Sequence, residues 1–193
     1  MQRVTLGLAA ILASALFAVT SGAFAQTQGE KEDFTAIAVA NNNIQTGAGT
    51  VLISIERWST NAERERLVSA LLSEGPRALI DAMHDVRPVG RIRTPDSIGY
   101  DLRYAHQTPA EDGGRRIVIA TDRPIGFWEL TRRPRTVDYP FTVVQMQIGP
   151  DGTGTGTLSE FTKVLANKDT IYLENFASAP VMLTEIRSEK DSD

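Results

Sequence analysis

Cysteine is absent from the 193 residues, and histidine occurs only at His84 and His106. The first absence excludes disulfides, a thiolate nucleophile, a thiolate metal site and a lipidated cysteine. The second excludes a histidine-rich zinc centre and leaves a carboxylate site open. Positive charge is also short. Lysine and arginine total 20 against 24 acids, and the net charge of −4 argues against nucleic acid as a partner. No G-x-S-x-G occurs, so a serine nucleophile on a strand-turn-helix elbow is missing too. Beyond the first 25 residues no run is apolar enough to cross a bilayer.

Those 25 residues are of another kind. "MQR" supplies a positive start, "VTLGLAAILASALFAV" an apolar core, and Ala23-Phe24-Ala25 a small-x-small cleavage site. This order is that of a secretory signal peptide, which predicts a mature chain starting near Gln26, in the periplasm or outside the cell. An uncleaved anchor is the alternative, against which the run is short and alanine-rich. Cleavage removes Arg3 and no acid, leaving the chain one unit more negative. Residues 26–33, "QTQGEKED", read as a flexible lead-in. Residues 34–188 then read as a single β-rich domain, long enough to bury a real core, and 189–193 as a polar tail.

Strand signals begin at 34–39. At 51–56, Val51, Ile53 and Ile55 alternate with Leu52, Ser54 and Glu56. The turn-rich "NNNIQTGAG" between these segments predicts a hairpin. One helical region follows. Thr60 and Glu63 have the spacing of a capping box, and Leu67, Val68, Leu71 and Leu72 share a face behind the charged "ERER". Gly75-Pro76 ends this helix and opens a second, lined by Ala78, Leu79, Ala82 and Met83. After Pro88 come seven strand-like segments: 90–94, 99–107, 115–122, 141–148, 153–164, 170–176 and 181–187. Turn formers such as Thr94-Pro95-Asp96 and Asp112-Gly113-Gly114 divide them, and short spacers favour antiparallel pairing. The expected fold is α+β, mostly β. It is an antiparallel meander of about nine strands, curved into a barrel or a sandwich, with one helical hairpin inserted after the second strand.

The stretch "DGTGTGTL" at 151–158 invites comparison with a phosphate-binding loop. Such a loop needs glycines at a strand end that feeds a helix. Here the glycines follow a Pro-Asp-Gly turn and lead into "SEFT", which is more strand, and no Gly-Lys-Ser/Thr ending is present. Period 2 puts Gly152, Gly154 and Gly156 on one face, with Thr153, Thr155 and Thr157 on the other. The prediction is a strand with one bare face, where a backbone or ring can come close.

Two segments carry candidate chemistry. In "GYDLRYAHQ", period 2 places Tyr100, Leu102, Tyr104 and His106 on one face, with Asp101 and Arg103 opposite. Two tyrosines and an imidazole give aromatic surface with polar handles, a pattern shared by ligand pockets and by ordinary half-buried tyrosine pairs. In "TDRPIGFWELTRRPR", Phe127 and Trp128 lie among Arg123, Arg132, Arg133 and Arg135. Guanidinium groups beside rings hold carboxylates or phosphates, or stack on the rings. The plainer reading is a solvated loop anchored by Phe127 and Trp128, its charge partly neutralised by Asp122 and Glu129. His84, near the end of the second helix, is placed to meet the carbonyls there. For a hydrolase the materials are Ser97 beside Asp96 and the many acids, and nothing in the sequence assembles them.

Three blocks, "IERWSTNAERERL", "IRTPDSIGYDLRYA" and "RRIVIATDRPIGFWE", together resemble a group of uncharacterised exported bacterial proteins over most of the mature chain. The resemblance implies a bacterial source and one intact domain, and it carries over no activity, cofactor or site residue. The residues lead to the expectation of a non-catalytic periplasmic or secreted domain that uses no cofactor or metal and binds a small amphipathic or anionic ligand. Tyr100, Tyr104, His106 and Trp128 would supply contact surface, with charge from Arg123 and Arg132. The ligand would lie between the sheet and the helical hairpin, or under "PIGFWELTRRPR". One alternative is an envelope protein-protein interaction module without a pocket. The other is a carboxylate- or serine-dependent hydrolase.

Overall fold

The structure, a computed structural model, describes residues 29–43, 46–125, 140–167, 170–176 and 179–190. Ten strands and two helices follow in chain order: β1 (Glu32–Asn41), β2 (Thr46–Ile55), α1 (Asn61–Glu74), α2 (Pro76–His84), β3 (Gly90–Arg93), β4 (Tyr100–Leu102), β5 (Tyr104–Pro109), β6 (Arg115–Ala120), β7 (Phe141–Ile148), β8 (Thr153–Asn167), β9 (Thr170–Asn175) and β10 (Val181–Lys190). Neighbours pair antiparallel in the order β4-β3-β2-β1-β10-β8-β7-β6-β5, with β9 attached to β8. The two ends of that path, β4 and β5, are consecutive in the chain. The sheet therefore curls back on itself and nearly closes into a barrel. The mostly-β antiparallel architecture and the helical pair after β2 are as the sequence predicted.

The single strand expected at 99–107 is two strands. Arg103 divides them, because the chain changes partners there. The carbonyl of Leu102 still accepts from the Val89 N–H at 2.8 Å, while the Arg103 N–H already donates to the carbonyl of Ala120 at 2.9 Å. Within one residue the chain crosses from one edge of the sheet to the other. Ser59, just past β2, covers the remaining gap. Its N–H donates to the Ala105 carbonyl at 2.8 Å, and its Oγ accepts from the Ala105 N–H at 3.1 Å.

Both outer boundaries also move outward from the sequence reading. β1 starts at Glu32, inside the expected lead-in, and β10 runs to Lys190, into the expected tail. The reason is a buried ion pair at one end of the barrel. Glu32 is 3% exposed. Arg115 of β6 donates through both terminal nitrogens to its carboxylate, at 2.7 Å for Nη1, and to Gln107 Oε1 at 2.9 Å. The Ser188 hydroxyl donates to the same carboxylate, and the guanidinium lies 5.8 Å over the Phe34 ring. A carboxylate taken out of water needs such partners, so the terminal residues are drawn into the sheet.

Inside the barrel, inward-facing side chains from the strands fill the space. Phe34, Ile53, Ile92, Ile117, Met146 and Leu183 are buried in one cluster, each contributing roughly 1.5–3 kcal/mol relative to exposure. The glycine-threonine stretch belongs here. Gly154 and Gly156 stand opposite the buried Ile148 and Met146 of β7. A Cβ on Gly154 would meet the Gln147 carbonyl oxygen at 2.1 Å, and one on Gly156 the Gln145 oxygen at 2.4 Å. The bare face lets two backbones approach inside the barrel, and it forms no phosphate loop. Gly152 is not on that face: it closes the 149–152 turn at φ +79, its N–H donating to Gly149 at 3.0 Å.

The helices pack on the outside of the barrel. Thr60 caps α1: its Oγ1 accepts from the Glu63 N–H at 3.1 Å, and the Glu63 carboxylate accepts from the Thr60 N–H at 2.8 Å. Arg57 adds two bonds of 3.0 Å to the same carboxylate. Gly75, at φ +87, ends α1, and Pro76 opens α2. Leu67, Leu71, Leu79 and Met83 are buried in a second cluster with Phe141 and Val143 of β7. Leu72, expected on the buried face, is instead 50% exposed.

Candidate functional site

Between the helical pair and the outer face of the sheet lies an open apolar groove of about 210 Å³. Leu67, Leu71 and Met83 form its roof, Val118, Ala120 and Val143 its floor, and Ile171 and Leu173 of β9 one side. The capped start of α1 sets the helical phase. That phase places Arg64 one turn before Val68, and both line the groove. β5 brings Tyr104 to the same wall, across the ladder from Ala120.

At the mouth stand Arg64 and Tyr104, with His106 beside the Tyr104 ring. The rings of Tyr104 and His106 are parallel, 2° apart in tilt, with centroids 6.1 Å apart. Arg64 and Tyr104 both line the groove here. Burial raises the Tyr104 pKa above its ordinary value, with Arg64 pulling the other way, so at neutral pH the phenol keeps its proton. Burial first, and the Arg64 charge second, lower the His106 pKa, so the imidazole is neutral there. The fixed charge at this mouth is that of Arg64. Among the described residues no carboxylate pairs with it, whereas Arg57, Arg91, Arg103, Arg115 and Arg123 each have one.

The sequence placed Tyr100 with Tyr104 and His106, and the structure separates them. Because the chain changes partners at Arg103, the inward positions switch from even to odd numbers. Leu102 and then Ala105 face the barrel core, and Tyr100 packs against that core. Tyr104 instead packs against the helical cluster outside. Arg123 is committed to Asp122, with Nε 3.2 Å from Oδ1. Trp128 and Arg132 lie outside the described residues.

Asp122, which the sequence offered as a neutraliser of nearby arginine charge, does pair with Arg123 and also takes partners the sequence did not show. Its side chain is 1% exposed. It accepts from Arg103 Nε at 3.0 Å, and His84 Nε2 lies 3.7 Å away. Arg103 also donates to the Val86 carbonyl at 2.8 Å, tying the sheet to the end of α2. His84, expected against the helix carbonyls, reaches this carboxylate instead.

Arg64 was an omission. Its signal was present in the phase that Thr60 and Glu63 impose, combined with the i, i+4 relation to Val68. Ser97 serves its own turn, accepting from the Thr94 N–H at 3.0 Å and donating to the Thr94 carbonyl at 3.3 Å. Among the described residues no group of three or more histidines and acids is arranged to hold a metal, and no helix is long and apolar enough to cross a membrane. No family model, curated protein or solved structure matches this chain, so its chemistry is read from these side chains alone.

Proposed function

We propose that this chain is a non-catalytic exported domain that binds a small amphipathic ligand in the groove between the helical pair and the sheet. The observation that carries the reading is the pairing of an apolar trough with a phenol and an arginine at its mouth. Ligand sites combine apolar lining with a few placed polar groups in this way. Export follows from the order of charged start, apolar core and small-x-small site in residues 1–25. The reading as an interaction module is supported by the exposed apolar side chains of Leu72, Ile171 and Tyr172, two of them on β9.

The test uses the chain from Gln26 and the one-ring fluorescent anion 2-aminobenzoate. Saturable one-to-one binding to the folded protein, abolished by Ala120→Trp at an unchanged melting temperature, is the expected result. Binding that does not saturate, or that ignores the tryptophan in the groove floor, overturns the groove as the site. Export is checked by amino-terminal sequencing of the chain from a periplasmic fraction, with Gln26 expected first.

A further inference from the structure

The groove reading leaves the ligand's chemistry open, and the following inference rests on that reading. We infer that the ligand is a short-tailed monoanion whose carboxylate, or a like acidic head, is held by Arg64 and the Tyr104 hydroxyl while its apolar tail lies on Val118 and Ala120.

Charge complementarity carries the choice of head. Among the described residues five arginines have a carboxylate within ion-pair distance; Arg64 is one of the others, and it is the arginine that lines the groove. Its guanidinium offers five N–H donors in a planar fork, matched to a carboxylate. Tyr104, kept protonated by burial, presents a hydroxyl proton that can turn toward an anion. His106 lies parallel to the Tyr104 ring, with centroids 6.1 Å apart. A cationic head would sit beside an unneutralised guanidinium, and a neutral head would leave that charge unanswered.

Volume limits the tail. About 210 Å³ lies below the roughly 300–1,000 Å³ usual for drug-sized ligands. That space accommodates a single short chain or one aromatic ring, and a two-chain lipid does not fit. The roof and floor are aliphatic, with no polar side chain aimed at the tail. Tail recognition is therefore by shape and desolvation.

Isothermal titration with octanoate, octanol and octylammonium at neutral pH tests this, using the chain from Gln26 and its Arg64→Gln, Arg64→Lys and Ala120→Trp variants. Octanoate is expected to bind at least about tenfold more tightly than octanol, a difference that corresponds to about 1.4 kcal/mol. Octylammonium is expected not to bind. Arg64→Gln should bring octanoate down to the affinity of octanol, and Arg64→Lys should keep part of the difference. Octanol binding as tightly as octanoate, or octanoate insensitive to Arg64→Gln, overturns the acidic head and leaves the groove standing. Failure of octanoate and octanol alike overturns both, and binding that survives Ala120→Trp moves the site elsewhere.

Discussion

The barrel interior and the helix-covered groove are built from the same aliphatic residues and finished in opposite ways. Inside, Ile117 and Ile119 are fully buried, and Glu32 and Arg115 close one end with paired charge. Outside, on the same strand, Val118 and Ala120 are half-buried under the helices, beside an open space and Arg64, which has no carboxylate partner among the described residues. A sealed core maximises packing, whereas an open one with a placed charge gives up some of it to keep room. The difference between neighbours on β6 is thus the difference between a sealed core and an open groove.

The comparison breaks most sharply at Arg115. Arg115→Met leaves the Glu32 carboxylate buried without its cation, and is expected to cost about 3–5 kcal/mol in urea unfolding. The double variant with Glu32→Met should recover most of that loss. A small effect of the single change would mean that the barrel end is open to water, and the contrast with the groove would fail there. Next in size, Ile119→Ala should cost about 2–5 kcal/mol. One position away, Val118→Ala should cost under about 1 kcal/mol, since the groove leaves that side chain short of neighbours. Equal losses at the two positions would show the groove to be as tightly packed as the interior.

A further step down in size is Thr60→Ala, expected to destabilise by about 1 kcal/mol through loss of the cap. It should also weaken octanoate binding, because the cap sets the phase that carries Arg64 to the groove. Burial raises the Glu63 pKa, yet the bonds from Arg57 and Thr60 outweigh it and hold the carboxyl below its ordinary value. The stability tied to Glu63 is present above the unfolded carboxylate range and is lost as the pH falls through the lower folded value. Acid titration of unfolding should therefore show a smaller loss in the Thr60→Ala variant than in the parent.

Much of this was legible in the chain. Periodicity of two located the strands, and Thr60, Glu63, Gly75 and Pro76 set both helices, because those signals are local. The break at Arg103 was not legible. "GYDLRYAHQ" is regular in sequence, and the change of partner is imposed by the curl that brings β4 and β5 to the two ends of one sheet. That long-range event moved Tyr100 to the core and left Tyr104 at the groove, with His106 beside it. The pairs Glu32–Arg115 and Arg103–Asp122 join residues 83 and 19 positions apart. Charge pattern alone does not say which arginine a buried acid will find.

The finest edge of the comparison is His106. Burial and then Arg64 hold its pKa below the ordinary value near 6.5, so the folded chain binds fewer protons here than the unfolded one as the solution turns acid. The linked stability is present above the unfolded value and is lost as the pH falls through the lower folded value. Removing the guanidinium with Arg64→Gln should move the imidazole titration upward, read from its proton resonances. A carboxylate bound at Arg64 should move it the same way in the unchanged protein, because it cancels the same charge. If neither moves it, burial alone sets this histidine, and the groove mouth is no more electrically active than the sealed interior.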